Sequence, residues 1–223
     1  MVLRLAILVS LISAPQLVRA QDAAVSAVPN AVASPGEEIV VNGIRYPVVL
    51  TAKQVAGARK EFLKWRPSLA PAAALTFRIG LLPGADRNGL ELRLRSQDED
   101  IPIPLIGGRT FVLPDPGPGD WSVYANRAGK SLVIEPFILS PGTDEFNRRL
   151  GDLRLQCRVY WGATRSQTSL IVKAMYETAG GCGSKKFGYY VLSSKSISSA
   201  TLIAGAYERS LQVSRQRIYR API

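Results

Sequence analysis

Residues 75–138 are written as short alternating runs, and this pattern constrains the fold more than any other feature of the chain. Leu75, Phe77, Ile79 and Leu81 alternate with Thr76, Arg78 and Gly80, and Leu90, Leu92 and Leu94 with Glu91, Arg93 and Arg95. A period of two puts successive side chains on opposite faces of an extended strand. Pro83-Gly84, Asn88-Gly89 and Gly107-Gly108 interrupt the runs, and these are residues that turn a backbone. Ile101, Ile103 and Leu105 alternate with Pro102 and Pro104, which cannot donate to a ladder, so this strand is expected at a sheet edge. Residues 110–113, 121–125 and 131–138 complete six short strands in about 65 residues. Closely spaced strands and turns predict an antiparallel β-sandwich over residues 75–142.

The next region, 148–163, reads Arg-Arg-Leu-Gly-Asp-Leu-Arg-Leu-Gln-Cys-Arg-Val-Tyr-Trp-Gly-Ala. Leu153, Leu155, Cys157 and Val159 alternate with Arg154, Gln156, Arg158 and Tyr160, which predicts a half-buried strand with the first set inward. The only other cysteine is Cys182, inside Gly180-Gly181-Cys182-Gly183. In an exported chain two cysteines most simply form one disulfide. Closing a loop of 25 positions would remove roughly 3.5 kcal/mol of unfolded-state entropy on the chain-entropy model. Two buried free thiols are the alternative. Further strands are expected at 169–176, 187–192, 200–204 and 211–213, so that residues 143–223 form a disulfide-tied, basic C-terminal β region.

Export is read from residues 1–20. Arg4 precedes an apolar core at 5–12, and Val18 and Ala20 are small residues where a signal peptidase reads. Residues 21–36 are Ala, Val, Ser and Pro with one charge and predict a flexible leader. Ile39-Val40-Val41 and Ile44-Arg45-Tyr46 flank Asn42-Gly43, the preferred pair for a tight hairpin. Thr51 can cap a helix over 52–65 with Val55, the stem of Arg59, Phe62 and Trp65 roughly on one face. Arg66-Pro67 is expected to end it, because a residue before proline avoids helical angles. Residues 37–74 thus hold a hairpin and the one expected helix. No later run reaches eighteen apolar residues, so no span is expected after signal removal.

Three short segments carry resemblances. Glu37-Glu38-Ile39-Val40-Val41-Asn42-Gly43 resembles a segment near the mature N-terminus of many TonB-dependent outer-membrane receptors. Their large barrel has no counterpart here, so the segment is read as a local hairpin, with pairing to a partner's sheet edge as the other option. Ile103 to Pro114 and Gly119-Asp120-Trp121-Ser122-Val123 resemble the prealbumin-like sandwich of carboxypeptidase-regulatory-type domains. That resemblance implies a non-catalytic accessory or adhesion-type module. The stretch from Arg148 to Cys157 resembles a segment of uncharacterised exported proteobacterial β-rich proteins, which implies the periplasm and supplies no activity.

The chain has no histidine. Ser-His-Asp and Cys-His catalysis, His-ligated zinc and histidine pH switching are therefore excluded. No cofactor is expected. The acidic run Gln97-Asp98-Glu99-Asp100 lacks the ligand spacing and glycine of a calcium loop, so it is read as a solvated loop tip and no metal site is expected. Charge is lopsided: residues 21–142 hold 13 basic and 12 acidic side chains, and residues 143–223 hold 13 basic and 5 acidic. Such a field favours anionic partners.

The candidate anion-binding set is Arg148, Arg149, Arg154 and Arg158 with Lys185 and Lys186, since arginine forks suit phosphate and carboxylate. An ordinary polar outer face is the competing reading. Nucleic acid is a poor target for an exported protein. The leading expectation is a non-enzymatic periplasmic or secreted protein of a Gram-negative bacterium, contacting an anionic envelope polymer or another envelope protein. The alternative is a carboxylate-dependent hydrolase of cell-wall or glycan material.

Overall fold

A computed structural model describes residues 47–183, 188–193, 195–214 and 218–222. The expected signal peptide, the leader and the 37–46 hairpin segment lie outside the described residues, as do Lys185, Lys186, Arg215 and Arg217.

The fold is mostly sheet, with several antiparallel sheets, helices and a disulfide. Strands β1 (Val48–Leu50), β2 (Thr76–Leu81), β3 (Leu92–Arg95), β4 (Asp100–Ile103), β5 (Thr110–Val112), β6 (Ser122–Ala125) and β7 (Leu132–Pro136) make two of the sheets. One has the order β1-β6-β3-β4, and the other β5-β2-β7. The proline-bearing β4 stands at a sheet edge, as its missing donors require. Leu92 pairs with Ile103 and Ala125, and Leu94 with Ile101 and Val123. Phe77 pairs with Phe111 and Pro136, and the two phenyl rings stack with centroids 5.5 Å apart. Phe77, Ile79, Leu92, Leu94, Phe111 and Val123 are fully buried, so the alternation of the sequence is the alternation of the core.

Helix α1 (Ala52–Leu69) lies between β1 and β2 in the chain. At its start Gln54 folds back on Thr51, accepting from the Thr51 backbone N–H at 2.9 Å. The helix does not end at Arg66 as expected. Pro67 sits in its last turn, where the missing N–H costs one bond and the helix is about to end in any case. Ala70 N–H still donates to Arg66 O, and Arg66 Nε donates to Pro71 O, so the turn is closed from both sides.

Residues 148–163 are not a strand. They form helix α2 (Leu150–Thr164), followed by a 3-10 turn (Arg165–Gln167). The predicted strand at 169–176 is likewise helix α3 (Leu170–Thr178), with Ser169 Oγ accepting from Val172 N–H at its start. The C-terminal region is therefore not purely β, and the described chain has three α-helices where one was expected.

Helix α2 wears its apolar residues on more than one side. Leu155, Val159 and Ala163 join the core shared with α1 and the sheets, while Cys157 pairs with Cys182 and packs near Tyr176. Helices α1 and α2 run antiparallel and touch backbone to backbone. A Cβ built on Gly57 would lie 2.8 Å from the carbonyl carbon of Gly162 and closer still to its oxygen. Gly151 meets the carbonyl of Leu69 in the same way at the other end of the contact.

The remaining strands are β8 (Gly188–Leu192), β9 (Ala200–Ala204), β10 (Tyr207–Leu211), β11 (Val213–Ser214) and β12 (Ile218–Pro222). They form a three-stranded sheet, β11-β12-β8, and the hairpin β10-β9. The disulfide joins Cys157 of α2 to Cys182, with Cα atoms 5.9 Å apart. Alkylation of the native protein followed by mass spectrometry should find no free thiol until reductant is added. Ready labelling of both cysteines before reduction would contradict the bridge.

Candidate functional site

The site grows from the start of α2. Arg149 takes extended angles ahead of the helix, and Asp152 falls in its first turn, where a carboxylate faces the exposed N–H groups and positive end of the helix. Asp152 is fully buried and accepts from Ser140 N–H at 2.9 Å and Ser140 Oγ at 2.6 Å. One turn on, buried Gln156 uses its Oε1 to accept from Ile138 N–H at 3.2 Å and Arg148 Nη2 at 2.6 Å. These bonds pin the segment after β7 against α2.

They also settle what Arg148 does in the fold. Its Nη2 donates to Ile138 O at 2.6 Å, and its guanidinium lies over the Phe137 ring at 5.1 Å. Arg78 approaches the same ring at 4.7 Å while pairing with Glu135 and Glu145. Arg148 is thus part of an internal network rather than a surface. Arg149 is exposed at the helix start. Lys185 and Lys186 fall outside the described residues.

Arg154 and Arg158 remain. Four residues apart on a strand they would stand about 13 Å from one another. On α2 they are neighbours on one face, with Cβ atoms about 5–6 Å apart. Together with Trp65 and Leu69 of α1 and the Cys182-Gly183 turn, they line a cleft of about 280 Å³. The Arg158 guanidinium stacks 4.4 Å from the centre of the Trp65 ring. Trp65 is itself held by its Nε1–H, which donates to Glu61 Oε2 at 2.9 Å. A guanidinium laid on an aromatic face keeps its in-plane N–H groups for other acceptors. Among the described residues neither Arg154 nor Arg158 forms an ion pair.

Behind the cleft, Tyr176 of α3 closes over the disulfide. Its hydroxyl lies 2.6 Å from Cys182 Sγ and 3.7 Å from Cys157 Sγ, and its ring stacks on Trp161 at 3.9 Å. Burial pushes the Tyr176 hydroxyl above the ordinary tyrosine range, against the opposing pull of the nearby Arg158 charge. The phenol therefore stays neutral at physiological pH and serves as a hydrogen-bonding wall.

Two other charged features are already committed. In a second cleft, of about 330 Å³ and lined by Phe62, Leu63, Leu75 and Leu113, Arg59 pairs with Asp115 at 3.2 Å and donates to Pro114 O. The acidic tip at β4 is bound to its own sheet, because Asp100 accepts from Arg93 Nε at 2.6 Å and Arg95 Nε at 2.9 Å. Among the described residues, no group of three Cys, Asp or Glu side chains is placed to hold a metal ion.

Sequence reasoning named both arginines and missed Trp65 and Leu69 as their neighbours. Trp65 was legible as a large residue on the buried face of α1. Its relation to Arg158 appears only when residues 148–163 are wound as a helix. Comparison with protein-family models, with curated proteins and with solved structures finds no match to this chain.

Proposed function

We propose that this is an exported, non-enzymatic binding protein whose two facing antiparallel sheets make a sandwich, and whose Arg154–Arg158 cleft takes an anionic group of an envelope component. The observation that carries the reading is the pair itself. Two arginines one helical turn apart, with no ion pair among the described residues, share a cleft, and Trp65 orients one of them. Two adjacent forks match the oxygens of a phosphate or carboxylate. The excess of basic over acidic side chains in residues 143–223 adds a long-range attraction to such a partner. The resemblance of the Arg148 to Cys157 segment to uncharacterised exported proteins bears on export alone and supplies no activity.

The test is titration with a soluble polyanion, polyphosphate, at low and at half-molar salt. Wild-type binding should weaken steeply with salt, because exposed charges are screened over about 8 Å at physiological ionic strength. Arg154→Gln with Arg158→Gln should weaken binding at least tenfold. Lys195→Gln with Arg209→Gln removes the same charge from exposed sites elsewhere and should change it less than threefold. Equal losses in the two double variants would reduce the cleft to bulk charge, and salt-independent binding would remove the reading.

A further inference from the structure

Helix α3 is amphipathic, but it is turned the wrong way for a helix of a closed core. Its inward contact is Tyr176, stacked on Trp161 and set against the disulfide. Leu170, Ile171 and Met175 are 80%, 74% and 66% exposed, Val172 is half exposed, and no residue of the helix is buried. At 100° per residue, Leu170, Ile171, Ala174 and Met175 fall on one arc, away from Tyr176. Helices in soluble proteins place such a face against the core.

The arginine cleft lies next to α3. Arg154, Arg158 and Trp161 follow one side of α2 at spacings of four and three. Tyr176 seats α3 over the Trp161 end of that side, and the cleft occupies the Arg154–Arg158 end. Helix α3 and the cleft therefore both lie on the side of α2 that carries Arg154, Arg158 and Trp161.

We infer that this side of the molecule docks on an anionic lipid surface, with α3 lying in the interface and Arg154 and Arg158 holding a lipid headgroup. The inference rests on the anion-binding reading of the cleft and adds the lipid. Charge favours it: an apolar face beside two arginines, in a strongly basic region, suits acyl chains below anionic headgroups, and the one acid of the helix, Glu177, is paired with Arg165. Size disfavours a second copy. Nine residues make a face about 13 Å long and about 10 Å wide, far short of the roughly 800 Å² per partner that a stable interface buries. No helix among the described residues is long and apolar enough to cross a membrane.

The experiment is sedimentation of the whole protein with vesicles of phosphatidylglycerol or of phosphatidylcholine, alongside the polyphosphate titration. Wild-type protein should sediment at least tenfold more strongly with phosphatidylglycerol. Ile171→Ser with Met175→Ser alters exposed positions only; it should lose most vesicle binding and keep its polyphosphate affinity. The cleft variant should lose both. If the α3 variant sediments like wild type, or wild type ignores the vesicles, the lipid inference falls, whereas the cleft reading falls only with the polyphosphate result. A wild-type dimer that the α3 variant converts to monomer, without vesicles, would make the face a protein interface and also overturn the inference.

Discussion

Gly57→Ala is expected to destabilise the protein, even though the same exchange in the interior of an ordinary helix gains about 0.8–1.0 kcal/mol. The reversal of sign comes from the contact between α1 and α2. The added Cβ would lie 2.8 Å from the Gly162 carbonyl carbon and nearer its oxygen, so backbone rather than a pliant side chain must move. Gly162 is constrained in return, by the Gly57 carbonyl and by Glu61 Cγ at 2.8 Å. Overpacking of this kind typically costs about 1–3 kcal/mol and occasionally more. A backbone-to-backbone clash belongs at the upper end, and a loss of about 3 kcal/mol would lower the melting temperature by roughly 6–12 °C for a domain of this size. Ala56→Val, at the exposed neighbouring position, should cost less than about 1 kcal/mol. Thermal melts of the two variants decide the matter. A Gly57→Ala protein that melts at or above wild type would mean that the helices do not meet here.

The same contact explains why α2 was illegible as a helix. Its apolar residues serve two neighbours: Leu155, Val159 and Ala163 belong to the core shared with α1, and Cys157 to the disulfide cluster. Two buried stripes on one helix fill in the gaps of a 3.6-residue period, and over Leu153 to Tyr160 what survives looks like alternation. Length carried the better signal. Nine residues without a turn former run from Leu153 to Trp161, more than most strands contain, and Leu, Arg and Gln all favour helices.

Helix α3 misled for a different reason. Leu170-Ile171-Val172 has the composition of a buried strand, but these side chains are exposed, so composition said nothing of what they pack against. Strands β2 to β7 were legible because each has one buried face and clear turns at its ends. The Arg154–Arg158 pair was visible in sequence, yet its spacing in space, and the support from Trp65, depended on the secondary structure that was misread.

Leu155→Ala and the double change Arg154→Gln with Arg158→Gln should separate stability from binding on adjacent positions of α2. Leu155 is fully buried and belongs to the cluster that joins α1, α2 and the sheets. Truncating it removes apolar contact and leaves a cavity, for a cost of roughly 2–5 kcal/mol. The arginines lie on the outer side, Arg154 exposed and Arg158 partly covered by Trp65. Surface changes typically move stability by no more than about 0.5 kcal/mol, and loss of the stacking on Trp65 adds about 0.5–1 kcal/mol. The arginine variant should therefore melt within a few degrees of wild type while its polyphosphate affinity falls at least tenfold. The leucine variant should melt far earlier, yet bind with wild-type affinity at temperatures where it is still folded. If the leucine variant melts normally, α2 does not bury this face. If the arginine variant unfolds, these side chains are structural, and its loss of binding would no longer locate a site.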